Sequence, residues 1–111
     1  MKKYKIEKMI RGWFVGGFKP SVFDTHDCEV GYKEYKKGDY EEFHHHKIAT
    51  EITLIVKGTV LMNGKEYTKG DIIVIPPKEG TDFWALTDAE NVVVKIPGAS
   101  DDKYLGKYEK A

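Results

Sequence analysis

Glu51-Ile52-Thr53-Leu54-Ile55-Val56-Lys57-Gly58-Thr59-Val60-Leu61-Met62-Asn63-Gly64-Lys65-Glu66-Tyr67-Thr68-Lys69-Gly70 reads as three short strands and the turns between them. Apolar and β-branched residues fill 51–56, Gly58 opens a second run over 59–62, and Asn63-Gly64 supplies the left-handed pair of a tight hairpin turn into 65–68. Lys69-Gly70 marks the next turn. Outward from it, 71–75 is an apolar run stopped by Pro76-Pro77, and 91–96 is another stopped by Pro97. No stretch carries the 3.6-residue period of a long helix. The fold class expected is all-β.

Strands that are apolar on both faces need cover on both sides. A two-sheet sandwich or barrel covers one side, and a partner chain or a terminal segment covers the other; of these a homodimer is the expectation. The aromatic-rich run Trp13-Phe14-Val15-Gly16-Gly17-Phe18 is expected to cover a sheet or to meet that partner, because large aromatic rings bury the most area. The domain therefore divides into a cover segment over 1–27, a barrel over 28–97 and a polar arm over 98–111, relieved only by Tyr104, Leu105 and Tyr108. That arm is expected to be of low stability.

The chain has 111 residues, enough for one core, with 41% hydrophobic and 32% charged residues, as in a folded domain. Its 18 basic and 18 acidic residues cancel, so no global field favours nucleic acid or an anionic membrane. Arg11 is the sole arginine, and a diphosphate ligand, which favours bidentate guanidinium clamps, would be poorly served. The start alternates charged and apolar residues rather than forming a signal-peptide core, and no run is long enough to span a membrane. A lone cysteine, Cys28, cannot form an intrachain disulfide and is expected as a small apolar core filler in a reducing, cytoplasmic setting.

Chemistry concentrates just upstream of the opening stretch, in Gly38-Asp39-Tyr40-Glu41-Glu42-Phe43-His44-His45-His46-Lys47-Ile48-Ala49-Thr50-Glu51. Residues two apart on a strand share a face, so His44 and His46 point together, while His45 points away and is expected to face solvent or an interface. Glu51 reaches the same pocket from the start of the next strand. Two imidazoles and a carboxylate on one side of a metal form a facial triad with open positions. Such donors suit a divalent transition metal without distinguishing iron, manganese, nickel, copper and zinc. By the same alternation Thr53 and Ile55 share the face of Glu51. Tyr32, Glu34 and Tyr40 read as solvated strand residues.

With its surroundings this run resembles the first motif of the cupin superfamily: Gly38, five residues, His44-x-His46, four residues, Glu51, six residues, Gly58. The resemblance spans roughly 28–97 and implies a small double-stranded β-helix, or jelly-roll, barrel with the site inside its mouth. In the second motif Gly70 and Pro76 match, but Lys78 stands where the family carries Gly and Thr81 where it carries a metal-ligating His. The fourth ligand is missing unless the neighbouring Asp82 supplies a carboxylate. The resemblance implies a metal-dependent cupin acting on a small polar molecule, sugar-like or a keto or hydroxy acid, as oxygenase or as isomerase or lyase. A non-catalytic ligand- or sugar-binding cupin with a weak or vestigial metal site is the alternative. Nucleotide-sugar epimerases of this fold use arginines and a His-Asp pair, whereas this chain has Arg11 alone and His26 without a clear partner.

Overall fold

The computed structural model describes residues 1–99 and 101–110. Its described residues form ten strands and one 3-10 turn, Ile6–Lys8. The strands are β1 (Trp13–Val15), β2 (Glu29–Tyr35), β3 (Tyr40–His45), β4 (Thr50–Lys57), β5 (Thr59–Met62), β6 (Lys65–Thr68), β7 (Ile72–Ile75), β8 (Gly80–Ala85), β9 (Ala89–Ile96) and β10 (Tyr104–Leu105). They build two five-stranded sheets, in the orders β1-β2-β9-β4-β7 and β10-β3-β8-β5-β6.

The stretch 51–70 folds as read. β5 and β6 close a hairpin with Met62 opposite Lys65, and Asn63 and Gly64 take φ values of 50° and 75°, the doubly left-handed turn that matches strand twist. Gly58 has φ 85°, and a Cβ there would lie 2.1 Å from the carbonyl oxygen of Asp88, so no other residue fits between β4 and β5.

One end of the space between the sheets is filled by Ile55, Val60, Met62, Ile75, Phe83, Ala85 and Ala89. Ile55 and Val60 have no exposed surface, and burying each contributes roughly 1.5–3 kcal/mol. The other end stays open and polar.

Three expectations need correcting. The described part of the 98–111 segment is not a loose appendage: β10 adds an edge to the second sheet, pairing Tyr104 with His45 and Leu105 with His44, and Asp102 is buried. His45 is consequently neither solvent-facing nor free for an interface. It lies buried beneath that arm, stacked on Tyr104, edge-on to Tyr108 and donating from Nδ1 to the Gly106 carbonyl at 2.7 Å. Cys28 is partly exposed just ahead of β2 and stands outside the core cluster. The aromatic segment does cover a sheet: β1 pairs with β2, and Trp13 lies against Gly31, where an added Cβ would come within 2.8 Å of the indole.

Candidate functional site

The open end of the barrel is a cavity of about 420 Å³, a size that suits a small molecule. Alternation decides what lines it. On β2, Lys33 and Tyr35 turn inward; on β9, Asn91, Val93 and Lys95 do; on β4, Glu51 and Thr53 do. In β3 the pairing runs from Glu41 opposite Phe83 to His44 opposite Thr81, three steps against two. That extra residue is a bulge, and it lets Glu41 and His44 both face the interior, which strict alternation would forbid.

His44, His46 and Glu51 all line this cavity. The Nδ1 of His44 donates to the Glu42 carbonyl at 2.9 Å, which leaves its Nε2 with the lone pair. The ring centroids of His44 and His46 are 5.6 Å apart with planes nearly perpendicular. His46 is buried, and its Nε2 has no hydrogen-bond partner among the described residues. Burial, followed by the nearby Lys95 and His44 charges, lowers its pKa to about 4, so the imidazole is neutral at neutral pH. Burial raises the pKa of Glu51, with Lys95 and His44 pulling the other way.

The donors fit a divalent metal by kind: two imidazoles, one with an orphaned buried nitrogen, and a carboxylate whose desolvation a cation would offset. Among the described residues, however, no three His, Cys, Asp or Glu side chains are gathered at ligating distances. Joint ligation therefore entails side-chain movement.

The connection carrying His46 to Glu51 is pinned from outside. Asp102 accepts the backbone N–H groups of Lys47, Ile48 and Ala49 at 2.8, 2.9 and 2.8 Å. Burial opposes ionisation of this carboxyl, but those three donors, helped by His46, outweigh it and hold its pKa below the ordinary carboxylate value.

Of the other singled-out residues, Thr53 and Thr81 line the cavity and Ile55 belongs to the core. Asp82 does not replace the missing ligand: it turns to the opposite side of β8 and accepts the Asn63 N–H at 2.9 Å. Glu34 and Tyr40 are exposed, and Tyr32 donates its hydroxyl to Glu90. His26 lies away from the cavity.

Reasoning from sequence missed Lys33, Tyr35, Glu41, Lys95 and Asp102. Tyr35 donates to Glu41 at 2.7 Å, and the carboxylate also meets Lys103 at 4.0 Å. Burial, followed by the charge and hydrogen bond of Glu41, pushes the Tyr35 hydroxyl well above its ordinary pKa, so it remains a donor. The available signal was alternation from Val30: if Val30, Tyr32 and Glu34 share the outer face, Lys33 and Tyr35 must face in.

No protein-family model matches the chain, and no curated protein matches it in sequence. Solved structures do resemble it. An uncharacterised conserved protein with a double-stranded β-helix domain from Klebsiella pneumoniae superposes with a TM-score of 0.73 at 17% identity, covering 97% of this chain and 99% of that one. KdgF from Halomonas sp. gives 0.63 at 23% identity over 69% of this chain and 74% of its own. The DMSP lyase DddQ from Ruegeria pomeroyi gives 0.68 at 20% identity over 85% of this chain and 50% of its own. Two antiparallel sheets closed around a polar-mouthed interior, together with these superpositions, give this chain the double-stranded β-helix fold of the small cupins.

Proposed function

We propose that the chain is a metal-dependent cupin acting on a small polar molecule, with His44, His46 and Glu51 as the ligands of a divalent transition metal. The observation that carries this reading is the buried, partnerless Nε2 of His46 in a wall shared with His44 and Glu51. An unpaired buried nitrogen costs about 1–3 kcal/mol, a penalty that an electrophilic partner removes. A divalent cation bound there would polarise a ligand's carbonyl or hydroxyl oxygen. The chain's own residues then divide the remaining work. Glu41, oriented by the Tyr35 hydroxyl, is the group placed to accept a proton from the ligand, and Phe83 and Val93 exclude water from the inner wall.

The reaction class within this proposal is an oxygenation or an isomerase- or lyase-type rearrangement of a sugar-like or keto or hydroxy acid. Similar folds belong to proteins named as a lyase, a decarboxylase and an oxidase, so their names favour neither class. A non-catalytic binding cupin is the competing reading, favoured by Thr81 at the position of the fourth ligand.

A homodimer is part of the proposal. The outer face of the first sheet aligns Val30, Val94, Ile52 and Val74 across four strands, with Tyr32, Val92, Leu54 and Ile72 in the next row. Ile72 and Val74 are 66% and 59% exposed, the kind of apolar face that a second copy covers. A cytoplasmic location remains the reading of the lone Cys28, and among the described residues no helix is long and apolar enough to cross a membrane.

Elemental analysis of the untagged protein beside H44A/H46A, both shown to be folded by circular dichroism, tests the proposal. Near-stoichiometric metal lost in the variant is the expected result. Absence of metal from both proteins after reconstitution overturns it in favour of the binding cupin. A turnover that disappears in folded H46A separates enzyme from binding module.

A further inference from the structure

Beside the candidate metal ligands the cavity wall holds a second group of charges. Lys33 on β2 and Lys95 on β9 both turn inward, and both ammonium groups lie over the same ring: the Nζ atoms are 4.4 and 4.9 Å from the indole centroid of Trp13. Lys33 also donates to the Arg11 carbonyl at 2.7 Å, which fixes its head group. Neither lysine has a carboxylate within ion-pair distance among the described residues, whereas Lys103 in the same cavity does, on Glu41. Two like charges held together in a partly dehydrated wall are costly unless a negative charge joins them. The indole face relieves some of that cost but carries no net charge.

The whole cavity has the same imbalance. Arg11 and four lysines line it against Glu29, Glu41 and Glu51. Committing Glu51 to a divalent cation makes the excess of positive charge larger.

We propose that Lys33 and Lys95, each packed on the Trp13 ring, are the carboxylate-recognising end of the cavity, so that its ligand is a small carboxylic acid rather than a neutral sugar. The proposal rests on the reading of this cavity as the ligand site and narrows its substrate class. A carboxylate fits better than a phosphate because of what the cavity lacks: phosphate sites draw on guanidinium clamps and on the N–H groups of helix N-termini, and the described residues offer one arginine, Arg11, and a single 3-10 turn. Burial is the first cause of the lowered pKa of Lys33, and the charge of Glu41 offsets it only in part.

The test compares acids with neutral molecules of the same skeleton: glycolate with ethylene glycol, pyruvate with hydroxyacetone, and galacturonate with galactose, with inorganic phosphate as a further probe. Binding is followed by calorimetry on metal-reconstituted and on metal-stripped protein, since chelation alone would favour an acid only in the first. At least one acid is expected to bind about tenfold or more tighter than its neutral partner in both preparations, and the preference should weaken with salt. It should vanish in K33M/K95M and survive in K33R/K95R, with circular dichroism confirming the fold and the metal content of K33M/K95M equal to that of the parent. Equal binding of acid and neutral, no binding of any acid at millimolar concentration, a preference that persists in K33M/K95M, or phosphate outcompeting every acid overturns the proposal. If acid preference is absent while metal is retained by the parent and lost in H44A/H46A, the lysine pair fails and the metal site stands. If acid preference is intact in a protein that takes up no metal, the metal site fails and the lysine pair stands.

Discussion

Burial, with the neighbouring Lys95 and Arg11 charges opposed by Glu41, lowers the pKa of Lys33 from 10.5 to about 8. Between those values the unfolded chain binds a proton that the folded one lacks, so stability against unfolding rises with pH as the medium passes upward through about 8. Tyr32 opposes this only at higher pH, because its hydrogen bond to Glu90, then burial, pushes its pKa up to about 12. Urea unfolding of ligand-free protein in steps across the lower part of this window should show a gain of roughly 1–2 kcal/mol at most, after allowance for solvent screening. The gain should be missing in K33M, and an unchanged slope in that variant would refute the assignment. The same side chain shows why part of the site was hard to read. An inward lysine breaks the rule that the polar face of a strand is the wet one, and β2, β3 and β8 place Lys33, Tyr35, Glu41, His44 and Thr81 inside. Where the cavity is polar, alternation no longer distinguishes in from out. The place of His44, His46 and Glu51 in the cavity wall was legible because their spacing, not their polarity, carried the signal.

At the scale of elements, β4 to β7 and β9 were legible nearly to their ends, since apolar runs bounded by Gly, Asn-Gly and Pro leave few alternatives. The C-terminal arm was not. A single aspartate in a polar run has no period, and its three partners, at Lys47, Ile48 and Ala49, lie more than fifty residues upstream. D102A strips the acceptor from three backbone donors, and each one left buried and unpaired costs about 1–3 kcal/mol. Amide hydrogen exchange at Lys47, Ile48 and Ala49 should therefore accelerate in D102A while that of β5 stays protected; unchanged exchange there would show that the clamp contributes little. Because the Asp102 pKa is depressed on folding, its stabilisation is present above the ordinary carboxylate range and is lost as pH falls through the still lower folded value. The connection between His46 and Glu51 thus loosens in acid, from the arm inward.

Taken whole, the molecule has an unusual distribution of polarity: charged and hydroxyl groups in the mouth of the barrel, and two apolar rows on the outside of one sheet. The double-faced apolar character of 91–96 was visible in the sequence, and its outer half lies on the face that the proposed dimer would cover. Sedimentation equilibrium should find a dimer that I72K/V74K converts to a folded monomer; a monomeric parent at all concentrations would contradict this. The bulge in β3 also carries an implication for how such a site arises. It behaves as a change of phase: upstream of it Glu41 looks inward, whereas regular pairing continued from His44 would set Glu42 opposite Phe83 and turn Glu41 to solvent. No exchange of one side chain for another reproduces that shift. Which of two neighbouring carboxylates, Glu41 or Glu42, stands beside the histidine wall is thus set by the spacing of the chain, open to insertion and deletion and invisible to a scan of point substitutions.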